Sequence, residues 1–379
     1  MADGSVSGFT ADRFAAVREA MAANLASGAD VGASFAATLE GETVIDLWGG
    51  WADEARTRPW EMDTIVNVYS TTKTMTALTA LLLADRGELD FDAPVAKYWP
   101  EFAQAGKAQV KVSHLMSHAA GLSGWKETIT KEDLYDWDKV TALLAAQAPY
   151  WLPGTASGYH GITQGYLVGE VVRRITGRSL GTVFRQEIAE PLGADFHIGL
   201  PASEDGRVAD LIPPPPGTAL GDGEPPPLLA NMSNNPRHDP RETRTRAWRA
   251  AEIPAAGGHG NARSIAEIHA ILANGGVAKG KRFMSEAGCR KALELQIEGM
   301  DLILGMQARF GMGFGLAGGA VPLPNPNSMF WGGYGGSLAI IDFDARTTFA
   351  FAMNKMAPTT TGDMRAFSLV MAAWQALAA

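Results

Sequence analysis

Strand-like sequence in this chain is concentrated at its two ends, and that placement limits the folds open to it. Near the start, Ala33–Leu39 and Val44–Trp48 are β-prone runs on either side of Glu40-Gly41-Glu42. Near the end, Ser337–Phe343 and Thr347–Met353 flank Asp344-Ala345-Arg346 in the same way. Each reads as a strand–turn–strand unit. Between about 90 and 255 strand patterns nearly vanish. Helical spacing is strong over Ile162–Thr176, with Gly177 just past its end, and also present at Val112–Met116, Val140–Gln147 and Ser179–Ala189. Thr10 is placed to cap an opening helix carrying Phe14, Val17, Met21 and Leu25, and an Ala-rich helix closes the chain from about Asp363. The simplest architecture is an α/β (α+β) fold: an antiparallel sheet flanked by terminal helices, with a mainly helical domain inserted. The boundaries expected are 1–90 and 255–379 for the α/β part and 91–254 for the insert. Within the insert, Pro213–Pro216 and Pro225–Pro227 bracket a long irregular stretch reaching to about Pro254, rich in arginine, which reads as a rim loop or a surface excursion.

Composition removes several classes of function. The 41 acidic and 32 basic residues give a net charge of -9 with no long basic run, which argues against nucleic acid and anionic membranes as main partners. Cys289 is the only cysteine, so neither a disulfide framework nor a thiolate metal site can form within one chain. Met1–Ser5 lacks a basic start and an apolar segment, so a secretory signal is not expected and a cytoplasmic location is the default. No apolar run is long enough to span a bilayer. Oligomeric state is left open.

The stretch that carries chemistry is Val68-Tyr69-Ser70-Thr71-Thr72-Lys73, followed by a run rich in Ala and Leu that ends near Gly87. That run reads as a mostly buried helix. Ser70 then stands at its N-terminus, where free N–H groups favour negative charge. Lys73, at i+3, points off the same face. A lysine in an apolar, poorly hydrated place loses its proton more easily and can serve the serine hydroxyl as a base. The Ser70 N–H can donate to an oxyanion. The same four-residue pattern recurs at Ser123–Lys126, in a Gly-rich loop with no helix behind it. Gly177-Arg178-Ser179-Leu180-Gly181 matches a nucleophile-elbow pattern, but a helix precedes it where that motif needs a strand, so Ser179 reads as a helix cap. His114 and His118, at i and i+4, are a possible metal pair that lacks a third ligand, and they are read as structural. Two further stretches stand out. Tyr159-His160-Gly161 precedes the Ile162 helix, where a loop tyrosine can act as acid or base. Phe330–Ser337 is glycine-rich, lies just before a strand, and can bring a second N–H to an oxyanion.

Taken in order, Ser70–Lys73, Tyr159 and Trp331-Gly332-Gly333 resemble the penicillin-recognising serine hydrolases: class C β-lactamases and, more closely, the family VIII carboxylesterases of the same serine β-lactamase-like fold. The blocks Ser113–Leu122 and Gly158–Glu170 extend the likeness over nearly the whole chain. The resemblance implies Ser70 as nucleophile, Lys73 and Tyr159 sharing the proton work, and the N–H groups of Ser70 and Tyr334 as oxyanion hole. It also implies Trp331, Gly332, Gly333 and His160 at the substrate, with no metal and no cofactor. Two departures stand out. Gly161 replaces an asparagine, and Trp331-Gly332-Gly333 replaces Lys-Thr-Gly, so the cation that would hold a β-lactam carboxylate is missing unless an arginine of the 237–249 stretch, Arg237 to Arg249, replaces it. The expectation is a serine carboxylesterase for short acyl esters. The alternatives are a β-lactamase or D-amino-acid peptidase, an acyltransferase on the same site, or a non-catalytic binding module.

Overall fold

The computed structural model describes residues 5–215, 225–319, 321 and 323–378. Its spine is a nine-stranded, wholly antiparallel sheet. The strand order is Val6–Thr10, Glu42–Gly50, Gly32–Leu39, Thr347–Met353, Leu338–Asp342, Ser328–Gly332, Gly315–Leu316, Gln307–Phe310 and Ile297–Met300. The two hairpins expected at the ends of the chain meet at its centre, where Gly32–Leu39 pairs with Thr347–Met353 over seven residue pairs from Ala33↔Met353 to Leu39↔Thr347. Both central strands are buried along almost their whole length. The Ala15–Ala26 and Met364–Ala378 helices pack together at the terminal end of the molecule, and Ala262–Ala273 lies against the central strands.

The described residues between 91 and 254 form helices, turns and one short strand, Phe196–Ile198. That strand joins Val66–Asn67 and Gly258–Gly260 in a separate three-stranded sheet. Helices occupy Thr163–Thr176, closed by Gly177 at φ +68°, and Trp137–Ala146, capped by Asp136. Among the described residues no helix is long and apolar enough to cross a membrane.

Two local expectations are corrected. Thr10 does not cap a helix. It ends the edge strand Val6–Thr10, and a short turn over Asp12–Phe14 leads into Ala15–Ala26. The glycine-rich stretch leads, as expected, into the strand Leu338–Asp342, and its first residues, Phe330–Gly332, also finish the strand Ser328–Gly332. The stretch from Pro225 to Pro254 is not irregular: it holds helices Pro227–Asn234 and Arg246–Ala250 and a turn at Pro240–Arg244. Pro216 and the residues up to 224 lie outside the described set, as do Met1–Gly4.

Candidate active site

Residues 72–83 of the Thr72–Asp85 helix are buried without exception, so its first turn is fixed in the core. A 3₁₀ turn over Tyr69–Thr71 runs straight into it and carries Ser70. Tyr69 holds a left-handed backbone, φ +44°, a conformation that costs free energy for a residue with a large side chain. Surrounding contacts hold it there. Its N–H donates to Asn67 Oδ1 at 3.2 Å, its hydroxyl meets His238 Nε2 at 2.8 Å, and its ring stands edge-on to Tyr334 at 5.5 Å. His238 in turn faces Glu242 at 3.3 Å, which ties the 236–244 segment to the turn that presents Ser70.

Two side chains converge on the Ser70 hydroxyl. Tyr159 Oη lies 2.6 Å from Ser70 Oγ and Lys73 Nζ lies 3.2 Å from it. Lys73 is only 1 % exposed and has no carboxylate partner among the described residues; burial pushes its pKa well below the usual lysine value. Its ammonium form is therefore disfavoured. The neutral amine has two N–H bonds, and two carbonyls receive them: Gly161 at 2.6 Å and Ala255 at 3.0 Å. The remaining lone pair is free for the Ser70 proton. Burial pushes the Tyr159 hydroxyl up to about 12, partly offset by its bond to Ser70 and by the Trp331 indole N–H donating to it. At neutral pH Tyr159 therefore keeps its proton and is a donor. This geometry can take a proton from Ser70 at one nitrogen and give one back at a neighbouring oxygen.

The glycine-rich segment forms a tight turn beside this group. Gly333 N–H donates to Ser337 C=O at 2.8 Å. The Ser337 hydroxyl donates to Val68 C=O at 2.8 Å and sits 2.9 Å from Thr71 Oγ1, which staples the turn to the Ser70 segment. Arg365 donates to Gly335 C=O at 2.8 Å and pairs with buried Asp30 at 2.9 Å. Among the described residues, the N–H groups of Ser70 and Tyr334 take part in none of the backbone hydrogen bonds of these turns. They are free to receive an oxyanion. Gly333 is required for the approach: a Cβ there would lie 2.2 Å from both Val68 O and Ser337 Oγ. Gly333→Ala is accordingly expected to lower stability by about 1–3 kcal/mol, as overpacking does, with ester hydrolysis falling in parallel. Urea denaturation alongside activity checks it, and an unchanged midpoint would show that the two segments are not stapled.

The other sequence-derived residues divide cleanly. Trp331 and Gly332 line a pocket beside Tyr159. His160 is corrected: it is fully buried, its Nδ1 pairs with Gly158 C=O at 2.6 Å and its Nε2 receives Leu122 N–H at 3.0 Å, so neither nitrogen is left for a substrate. A Cβ at Gly161 would meet Met232 Sδ at 2.9 Å, so an asparagine there requires the flexible Met232 side chain to move aside. Ser123 is buried in its loop. Ser179 caps Leu180–Phe184 and bonds Glu252 at 2.6 Å. His114 and His118 do not share a helix face, since Val112–Met116 ends before His118, whose φ is +60°. Arginines 241, 244, 246 and 249 are engaged with Asp239, Leu211 C=O, Asp205 and Asp205.

Sequence reasoning missed several residues. Asp301 is fully buried, and its Oδ1 receives the N–H groups of Tyr159 at 3.1 Å, Ile303 at 2.9 Å and Leu304 at 2.9 Å. His118 receives His160 N–H at 3.1 Å and stacks on Trp331 at 5.3 Å. The local signal for Asp301 was its place ahead of a turn ending in Gly305; His118 stood out only as one of a spaced histidine pair read as structural, and nothing local marked His238.

The β-lactamase family model matches residues 16–371. The chain belongs to the β-lactamase family. Among its relatives is "Esterase/beta-lactamase LipL" of Mycobacterium tuberculosis, 35% identical over 369 residues, covering 91% of this chain and 82% of that one. Two solved structures superpose closely. One is described as a family VIII carboxylesterase, with TM-score 0.93 and 44% identity, covering 98% of this chain and 100% of that one. The other is a penicillin-binding protein homologue from Caulobacter crescentus, with TM-score 0.93, 42% identity and the same coverage. With the β-lactamase family match and these esterase relatives, the chain is a serine hydrolase of serine β-lactamase-like fold.

Proposed function

We propose that the protein is a carboxylesterase that hydrolyses short-chain acyl esters through a Ser70 acyl-enzyme. The observation that carries this reading is the convergence of Tyr159 Oη and Lys73 Nζ on Ser70 Oγ, at 2.6 and 3.2 Å. Ser70 Oγ attacks the ester carbonyl while its proton passes to the neutral Lys73. The carbonyl oxygen becomes an oxyanion facing the Ser70 and Tyr334 N–H groups. The bond from the carbonyl carbon to the alcohol oxygen then breaks, and that oxygen takes the Tyr159 proton, which Lys73 replaces. Water attacks the acyl-Ser70 ester by the same route, and Ser70 leaves with its proton restored. No cofactor enters any step.

Two features support esters over β-lactams. A β-lactam carboxylate gains from a fixed cation, a contact contributing roughly 1.5–3 kcal/mol. By the resemblance Trp331 takes the place of that cation, and of the five arginines at 237–249 four, Arg241, Arg244, Arg246 and Arg249, are engaged elsewhere. Met232 closes over Gly161, where an amide-holding side chain would be needed. The kcat/KM for a short p-nitrophenyl ester is therefore expected to exceed that for nitrocefin by at least about a hundredfold. Steady-state kinetics on both substrates test it, and comparable values would make β-lactam hydrolysis the primary reading.

A further inference from the structure

A cleft open to solvent, with about 50 Å³ of room for the centres of water-sized molecules, runs from Tyr159 along the sheet edge. Its walls are largely apolar: Leu304, Phe310, Leu316, Phe330 and Trp331. The indole and the Phe310 ring are 5.7 Å apart, and the indole and the Tyr159 ring 6.1 Å. The charged side chain in its lining, Arg309, is paired with Glu298 at 3.0 Å. Such a cleft is matched to an apolar or aromatic group.

Proton chemistry decides which half of an ester enters it. When the tetrahedral intermediate collapses, the alcohol oxygen needs a proton and must lie within hydrogen-bond reach of the donor. Two groups reach Ser70 Oγ. Lys73 sits behind it, almost fully buried and committed to the carbonyls of Gly161 and Ala255. Tyr159 forms part of the cleft wall. The alcohol oxygen therefore lies at Tyr159 Oη, and the carbon chain attached to it continues into the cleft. On the Lys73 side, Met232 sits against Gly161.

We infer that the cleft is the alcohol pocket and that the preferred substrates are short-acyl esters of bulky apolar or aromatic alcohols. The inference rests on the esterase reading above. It goes beyond it by placing selectivity on the alcohol and not on the acyl chain.

The test uses methyl acetate, benzyl acetate and benzyl butyrate, followed by pH-stat titration. Methanol and benzyl alcohol are similar in acidity, so their departure is chemically matched. For the wild type, kcat/KM for benzyl acetate is expected to exceed that for methyl acetate by at least about tenfold, the scale of a filled apolar pocket. Leu304→Trp and, separately, Met306→Trp should each cut that ratio about tenfold while leaving the butyrate-to-acetate ratio of the benzyl esters in place. Both residues are only partly buried, and a ratio of two substrates on one preparation does not depend on the folded fraction. A fall in the butyrate-to-acetate ratio instead would make the cleft an acyl pocket and overturn the inference. Ratios that do not move in either variant would overturn it as well. Failure of the wild type to hydrolyse any of the three would remove the esterase reading and the inference together.

Discussion

Ser70→Ala is expected to reduce ester hydrolysis by about four orders of magnitude or more while leaving the fold intact. Removing a nucleophile of this kind leaves only the contribution of binding and oxyanion stabilisation. Alanine fits the site without strain, because among the described residues the Ser70 hydroxyl bonds Tyr159 and Lys73, and the turn is held through Tyr69, Thr71 and Ser337. Ser179→Ala is the matched comparison. It loses a helix cap and a bond to Glu252, so it should lower stability by about 1 kcal/mol and retain activity at temperatures well below unfolding. A fluorophosphonate probe read by intact mass gives the same answer without turnover: one adduct on the wild type and none on Ser70→Ala. Survival of labelling and hydrolysis in Ser70→Ala would move the nucleophile elsewhere.

Lys73→Met and Tyr159→Phe are each expected to cost at least about two orders of magnitude in kcat, the range for a lost general acid or base. Their pH dependence separates their roles. Lys73 works as the neutral amine, so activity should fall as pH drops through its lowered pKa. Burial places that value well below the ordinary 10.5. The acid limb of the kcat/KM profile is assigned to it and should vanish in Lys73→Met. Tyr159, pushed up to about 12, works as the hydroxyl and sets no limb in the neutral range. Lys73 also bears on stability. Because its folded pKa lies below its unfolded one, the unfolded chain binds the extra proton between the two values, and stability rises with pH through that window. At neutral pH the buried lysine is thus a stability cost, so Lys73→Met should unfold no more easily than wild type even as it loses activity. Near-wild-type kcat in Tyr159→Phe would take Tyr159 out of the chemistry.

How much of this could be read from the sequence follows from how local each signal is. The Ser70–Lys73 spacing and the helix behind it are set within one turn, and the run of buried residues from Thr72 to Leu83 made the placement legible. The central hairpins were legible for the same reason. The far strands at 297–316 were not, because they are two to four residues long and broken by glycine. His160 was misplaced by adjacency. It follows Tyr159 directly, but the Tyr159 hydroxyl reaches Ser70 while the His160 ring is enclosed between Gly158 C=O and Leu122 N–H. Locally Tyr159 stood out only as a loop tyrosine and Trp331 only as part of a glycine-rich stretch; their roles came from their order along the chain and the likeness it produced. Asp301, His118 and His238 act across long separations in sequence, and no window of neighbours contains both ends of those contacts.

The anchoring of Asp301 bears on how such a protein changes over time. One carboxylate oxygen holds the backbone of Tyr159 and, with the same atom, the start of the loop that carries Leu304 and Met306 along the cleft. Because the hold is on N–H groups, it is blind to the identity of the side chains at 303 and 304. A lineage can therefore exchange the side chain at 304, which lines the cleft, and retune what it accepts while the tyrosine stays where it is; Ile303, buried in the cluster that holds Tyr159 and Trp331, lacks that freedom. Position 301 lacks it as well, since a change there moves the tyrosine and the loop together. Diversity among descendants should thus collect just after a constant aspartate, with new substrate ranges arising on an undisturbed chemical centre.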